Sequence, residues 1–243
     1  MSDTIDIHDP AIRYARHVVL PELGGAGQQR LAASRVAVVG VGGLGSAAAQ
    51  YLAAAGVGAL TLIDDDTVDL SNLQRQVLFT EADLDKPKVQ VASTRLNALN
   101  SRCEIEQQNT RLTDQNATTL LDGHDVVVDA TDLITTRYAI NDTCAELKTP
   151  WVMGAVIRFE GQVAVFDPRV ESAPDYRRLF PELPPPDALP ACAEAGVLGA
   201  IAGIIGAWQA MVAVKLITGA GETPIGRIIN VDGLYGNVFE TRL

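Results

Sequence analysis

Apolar and polar positions switch between two periods along this chain, and the switches mark out its elements. "RVAVVG" (35–40) is an unbroken apolar run rich in β-branched residues, the pattern of a short strand buried on both faces. The glycines at 40, 42, 43 and 45 follow it, and the alanine-rich "SAAAQYLAAAG" then predicts a helix ending at Gly56, since glycine commonly follows the last helical residue. "GALTLIDDD" (58–66) returns to strand pattern and stops at three acids. Strand, tight turn, helix and strand make a βαβ unit of about 30 residues with a right-handed crossover.

The alternation continues. "KVQVASTRLNAL" (88–99) has helical spacing, "CEIEQQN" (103–109) reads as a strand, and "DVVVDAT" (125–131) reads as a buried strand with a polar end. A helix is predicted over 134–147, then strands from "WVMGAV" (151–156) and "GQVAVFD" (161–167). Segment 168–190 has no period, and its "PELPPPDALP" predicts a loop. The charge-free run Ala195–Val214 predicts a long apolar helix, and "IGRIINVD" (225–232) and "NVFETRL" (237–243) predict two closing strands. Residues from about 8 to 34 are expected to form an N-terminal helical arm. The chain, 1–243, reads as a single α/β domain with a mixed sheet.

Composition narrows the class. A hydrophobic share of 47% and a charged share of 20% belong to an ordinary globular protein, so disorder is expected only at the ends. A net charge of −11 argues against nucleic acid or an anionic membrane as the main partner. Cys103, Cys144 and Cys192 form no C-x-x-C pair, so no disulfide framework and no four-cysteine zinc site is expected, and a reducing, cytoplasmic compartment is the natural one. The N-terminal "MSDTIDIHDP" lacks the apolar stretch of a signal peptide. The run Ala195–Val214 has the length of a membrane span, but glycines at 196, 199, 203 and 206 and the polar Gln209 suit a helix packed in a core or at a subunit interface. No membrane insertion is expected.

The candidate chemistry gathers after the strands. Gly40, Gly42 and Gly45 fit G-x-G-x-x-G, which taken alone is a weak pattern. An open parallel sheet binds ligands beyond the carboxyl ends of its strands, so the candidates are Gly40–Gly45, Asp64–Asp66 and Ala130–Asp132. Asp64, about twenty residues past the glycines, is placed to meet a ribose hydroxyl. NAD and ATP fit equally to this point. Asn72, Gln74 and Arg75, with Lys86 and Lys88 at the start of the next helix, favour a triphosphate, whose charge needs cations and a metal ion. Arg75 and Lys88 could balance that charge, and Asp132 could hold magnesium. The spacing of His8, His17 and His124 suggests no metal site.

In order along the chain, "VVGVGGLGS", "DDDTVDLSNLQRQ", "KPKVQVA", "DATD", "GAVIRFEGQVAVF" and "CAEAGVLG" resemble the MoeB/ThiF family, bacterial relatives of ubiquitin-activating enzymes. The resemblance runs over about residues 10–240, and "SNLQRQ" and "CAEAGVLG" are far more specific than the glycine loop. It implies a Rossmann-like, doubly wound domain that forms homodimers. It also implies an activity: MgATP adenylates the C-terminal Gly-Gly carboxylate of a ubiquitin-like sulfur carrier, releasing pyrophosphate and leaving an acyl adenylate for thiocarboxylate formation. No protein nucleophile is needed for that step, and a separate persulfide donor would supply sulfur. Molybdopterin synthesis is the favoured pathway, with thiamine synthesis second. The alternatives are adenylation of another peptide or carrier C-terminus in secondary metabolism, a nucleotide-binding module without catalysis, and an NAD-dependent oxidoreductase.

The resemblance also assigns roles. Gly42, within the loop formed with Gly40, Gly43 and Gly45, would line the nucleotide. Asp64, with Asp66 beside it, would hold the ribose, Asn72, Arg75 and Lys88 the phosphates, and Asp132 magnesium. Arg16 matches an arginine that enters the neighbouring protomer's site to meet the γ-phosphate. Cys192 matches a cysteine that some members use covalently, and its role here stays open. Two departures stand out: "DYRR" (175–178) replaces one C-x-x-C pair and the other is missing, so no structural zinc is expected, and Leu133 stands where the family usually has Asn.

Overall fold

In the computed structural model, which describes residues 9–183 and 195–243, the apolar runs become strands of one eight-stranded sheet. Strands β1 (Arg35–Val39), β2 (Ala59–Ile63), β3 (Glu104–Gln108), β4 (Val126–Asp129) and β5 (Trp151–Ile157) are mutually parallel. Strands β6 (Glu160–Phe166), β7 (Arg227–Asp232) and β8 (Asn237–Arg242) extend it antiparallel. The order is β3-β2-β1-β4-β5-β6-β7-β8. The chain winds outward from β1 to β3, then returns to the other side of β1. Strand order therefore reverses between β1 and β4, and a crevice opens beyond their carboxyl ends.

Alternation along each strand divides the core into two layers. Val36 and Val38 of β1, Leu60 and Leu62 of β2 and Val126 and Val128 of β4 face helices α3 (Gly24–Ala33), α4 (Gly43–Ala55) and α5 (Lys88–Leu99), together with the long α9 (Gly199–Thr218). Ala37, Val39, Ile63 and Val127 face α6 (Ala117–Leu121), α7 (Ile134–Leu147) and α8 (Tyr176–Leu179). Helices α5 and α7 match the expected 88–99 and 134–147, and Gly56 caps α4 in the left-handed conformation at φ 88°.

Two expectations change. The apolar run from 195 was expected to be helical throughout, but helix begins at Gly199. Ahead of it, Arg158 donates its N–H to Gly196 and accepts from Leu198, tying that stretch to the β5–β6 turn. Freedom from charge marks burial, not helix limits, and α9 runs on through Lys215 to Thr218. Its inner face, including Ile201, Ile205 and Gln209, is packed inside the protein, while Ile204 and Met211 remain exposed. The aperiodic segment 168–190 contains a helical turn, α8, begun by the Asp175 side chain accepting from the Arg178 N–H. What holds it is the buried Tyr176 ring, 5.9–6.1 Å from Phe166 and Trp151. A single aromatic anchor leaves no period to read.

Ahead of β1 lie α1 (Pro10–Arg13), α2 (Ala15–Val18) and α3. Tyr14, between α1 and α2, is buried against Gly56, where an added Cβ would meet its ring at 2.5 Å, and its hydroxyl accepts from Asn100 at 2.8 Å. The segment is thereby docked on the C-terminal end of α4.

Candidate functional site

The glycines between β1 and α4 do different work. Gly40 has φ +86°, and a Cβ there would lie 2.8 Å from the Ala130 carbonyl oxygen; one on Gly45 would lie 1.8 Å from that of Gly40. These two let the loop turn and let α4 press against β1 and β4. Gly42 is different: a Cβ there would meet only the Gln76 Nε2, at 3.6 Å. It is the N-cap of α4, and no side chain caps the helix. Among the described residues the first-turn N–H groups at the positive end of the helix therefore have no side-chain partner, an arrangement that suits an anion.

The β2 end braces this loop. Asp64 accepts the Val41 N–H at 2.6 Å and the Asp66 N–H at 2.9 Å. Burial pushes its carboxyl above the ordinary value, against the pull of the Val41 hydrogen bond and the Lys88 charge. Asp66 pairs in turn with Lys88 at 2.5 Å, and its carbonyl accepts the Lys88 N–H at 3.0 Å. Lys88 is buried at the first turn of α5, with the ammonium carried to the exposed Asp66. A chain of direct contacts thus runs from Val41 to Lys88. Beyond it, Arg111 pairs with Asp65 at 3.0 Å and is held above its ordinary pKa by that carboxylate, with smaller help from Asp132 and Asp66.

The segment 70–76 closes the other side. It begins with a single 3-10 turn (Leu70–Asn72) begun by Asp69, whose side chain accepts from the Ser71 N–H. Residues 74 and 75 wedge between helix ends: a Cβ on Gly199 would lie 2.2 Å from the Gln74 carbonyl oxygen, and one on Gly43 would lie 3.5 Å from Arg75 Cγ. Arg75 donates to the Ser71 carbonyl at 2.9 Å, and among the described residues no carboxylate pairs with it. Asn72 and Gln76, one turn apart, are buried, and Asn72 Oδ1 and Gln76 Oε1 have no hydrogen-bond partner among the described residues.

On the β4 side, Asp129 is fully buried and pairs with Arg137 of α7 at 2.7 Å. Burial pushes the Asp129 carboxyl up while the guanidinium opposes it. Arg137 also donates to the carbonyls of Thr131 and Gly154, and Asp129 accepts the Thr131 N–H. This clip shapes the β4–α7 loop and leaves Asp132 exposed at its tip. A groove of about 600 Å³ lies alongside, lined by Ile134, Arg137, Tyr176, Leu179 and Phe180 among others.

Gly40, Gly42, Gly43, Gly45, Asp64, Asp66, Asn72, Arg75, Lys88 and Asp132 thus all lie around the crevice at the strand ends. Arg16 does not. It is exposed on α2, two residues from Tyr14 at the far end of α4, and thirteen helical residues put about 20 Å between that end and the glycine loop. Cys192 lies outside the described residues, as does His8. Cys103 and Cys144 are buried, the thiol of Cys103 pushed up to about 12 by burial, as suits packing residues. His17 meets Gln28, and His124 meets Thr61 and the Leu121 carbonyl. The sequence reading missed Arg137; an acid inside the apolar "VVVD" strand was the available sign that a buried cation must answer it.

The ThiF family model matches residues 14–243. Among curated proteins, a sulfur carrier protein adenylyltransferase of Thermus thermophilus is 47% identical over 225 residues, covering 91% of this chain and 83% of that protein. An adenylyltransferase and sulfurtransferase MOCS3 of Culex quinquefasciatus is 46% identical, and a probable adenylyltransferase/sulfurtransferase MoeZ of Mycobacterium tuberculosis is 45% identical. The chain covers 50% and 57% of those two longer proteins. Among solved structures, PaaA (TM-score 0.82, 23% identity, 96% of this chain and 73% of that one) and E. coli MccB (0.82, 20%, 95% and 69%) share the fold. With the family match spanning nearly the whole chain and its crevice lined by the motifs the resemblance rests on, the chain belongs to the ThiF family.

Proposed function

We propose that this protein is an ATP-dependent adenylyltransferase that activates the C-terminal Gly-Gly carboxylate of a ubiquitin-like sulfur carrier, working as a homodimer in the cytoplasm. The observation that carries the reading is the uncapped α4 N-terminus at Gly42, flanked by an Arg75 that pairs with no carboxylate among the described residues. Such a cradle suits the phosphates of a nucleotide. The Thermus relative, named for a sulfur carrier, favours that carboxylate as the adenylyl acceptor over other peptide C-termini.

ATP would supply the α-phosphoryl group that the carrier carboxylate captures, pyrophosphate leaving as the bond to the β-phosphate breaks. The chain's own groups bind and orient. Amides at the start of α4 hold phosphate, Arg75 balances charge on the leaving side, and Lys88, already anchored by Asp66, adds a second cation at the β2 end. Asp64 fixes the loop through Val41 and would hold the ribose. Asp132, exposed at the β4 end, would hold Mg²⁺, which would further neutralise the phosphates. The groove beside Arg137 is roomy enough for an extended carrier tail. Arg16, too far from its own glycine loop, would serve the neighbouring protomer. The terminal sulfur of a separate persulfide donor would then attack the acyl carbon and displace AMP, and a second thiol would cleave the resulting acyl disulfide, leaving the thiocarboxylate and a disulfide.

The test is ATP–pyrophosphate exchange in the presence of each Gly-Gly carrier of the host and magnesium. Exchange should depend on both, and Arg75→Ala should cut it by a factor on the order of 100. No exchange with any carrier, alongside tight NAD binding, would favour the oxidoreductase reading instead.

A further inference from the structure

The segment that carries Arg16 has little of its own to hold it in place. Helices α1 and α2 are four residues each and neither contains a buried residue, and helices this short are unstable unless packing supports them. Among residues 9–20, Tyr14 alone is buried. Its ring fills a notch at the C-terminal end of α4, where a Cβ on Gly56 would lie 2.5 Å from Tyr14 Cζ and 2.6 Å from the hydroxyl oxygen. Gly56 is thus required twice, for its left-handed φ of +88° and for the space the ring occupies. The hydroxyl accepts from Asn100 Nδ2 at 2.8 Å, and the same amide donates to the Ala53 carbonyl at 2.7 Å, which ties the segment to the last turn of α4 and the end of α5. A second tether follows three residues on: the His17 ring meets Gln28 Oε1 at 3.0 Å, and Gln28 donates to the Ala55 carbonyl at 2.9 Å. Arg16 lies between the two tethers. It is exposed, and no described residue engages its guanidinium.

We infer that Tyr14 is the positioning residue for Arg16: docked in the Gly56 notch, it fixes the arm from which Arg16 enters the neighbouring protomer's site. The inference rests on the dimer reading above and adds to it which residues of a chain serve the partner's site and not their own. Tyr14, Gly56 and Arg16 then act as one group, although Gly56 lies far along the chain from the other two.

The experiment is subunit mixing of full-length variants, read by ATP–pyrophosphate exchange, with thermal melts of each homodimer. Tyr14→Ala empties the notch and leaves every residue of the crevice in place. Its homodimer should lose activity by about tenfold or more. Mixed equally with Lys88→Ala, it should recover about a quarter of wild-type activity, because half the dimers are hybrids, each with one site that has its own Lys88 and an intact arm from the other chain. Mixed with Arg16→Ala it should recover nothing, since both arms are defective. A Tyr14 that only stabilises its own chain's site gives the reverse pattern, recovery with Arg16→Ala and none with Lys88→Ala. That pattern overturns the assignment, as does full activity of the Tyr14→Ala homodimer. Gly56→Ala pushes the ring out while leaving the arm's sequence intact, should sort with Tyr14→Ala, and carries the test if Tyr14→Ala does not fold. Unfolding of both variants would make Tyr14 part of the core and overturns the assignment too. If Arg16→Ala and Lys88→Ala do not complement each other although subunits exchange, the reading of Arg16 fails and this inference with it. If they do complement and Tyr14→Ala sorts with Lys88→Ala, this inference alone fails.

Discussion

Adding one methyl group at two glycines three residues apart should have opposite consequences. At Gly45 a Cβ would sit 1.8 Å from the Gly40 carbonyl oxygen and 3.2 Å from Ala130 Cβ, where ordinary contact needs roughly 3.5 Å. The obstacle is backbone, so α4 must move off β1 and β4. The cost should be about 3 kcal/mol or more, out of a total stability of about 5–15 kcal/mol, and Tm should fall by about 6–12 °C for a chain of this size. At Gly42 the backbone φ is −81° and the new Cβ meets one side-chain nitrogen at 3.6 Å. Gly42→Ala should fold normally, and lower unfolded-state entropy could add about 0.4–1 kcal/mol. Its methyl group would occupy the space assigned to phosphate and displace one or two charge-assisted hydrogen bonds of about 1.5–3 kcal/mol each, so ATP affinity should drop about 10- to 100-fold or further. Differential scanning calorimetry and titration with ATP read the two effects separately. Undiminished ATP binding by Gly42→Ala would refute the phosphate seat. A wild-type Tm for Gly45→Ala would refute the argument from close approach.

Arg16→Ala and Lys88→Ala homodimers should each be nearly inactive, whereas mixing them with subunit exchange should restore about a quarter of wild-type activity, because half the dimers are hybrids with one intact site; no recovery despite exchange would refute action in trans. Arg137→Met should cost about 3–5 kcal/mol by stranding the buried Asp129 charge, and Asp129→Asn on top of it should recover part of that loss; urea unfolding of the three proteins checks this. If "DYRR" stands where relatives carry a cysteine pair, as the family resemblance implies, elemental analysis of purified protein should find no stoichiometric zinc and chelators should leave Tm unchanged.

The sequence alone determined the elements and the chemistry near the strands. Runs such as "VAVV" and "DVVVD" are short, β-branched and bounded by turn residues, which reads as buried parallel strands, and a glycine after the alanine-rich run reads as a helix end because glycine alone takes a left-handed cap at little cost. Asp64, Lys88 and Asp132 were legible because each lies within a few residues of a strand end or helix start, and the strand-end rule turns that local fact into a place; Arg75, midway between β2 and α5, reaches the crevice only through packing against Gly43. Only the tertiary structure decided what depends on packing between distant segments. The helical turn at 176–179 exists because one aromatic ring is buried by residues from β5, β6 and α7. Arg137 is committed to Asp129, eight residues earlier, only because α7 folds back along β4 and β5. Of the amide residues in "SNLQRQ", Gln76 is set against Gly42 by the wedge of residues 74 and 75 between the ends of α4 and α9. Arg16 reads like any other arginine on an exposed helix until Tyr14 anchors its segment about 20 Å from the glycine loop. Local sequence sets dihedral preferences and periodicity; which side chain meets which across the sheet is fixed by strand order and helix docking, and those follow from burying apolar surface over the whole chain at once.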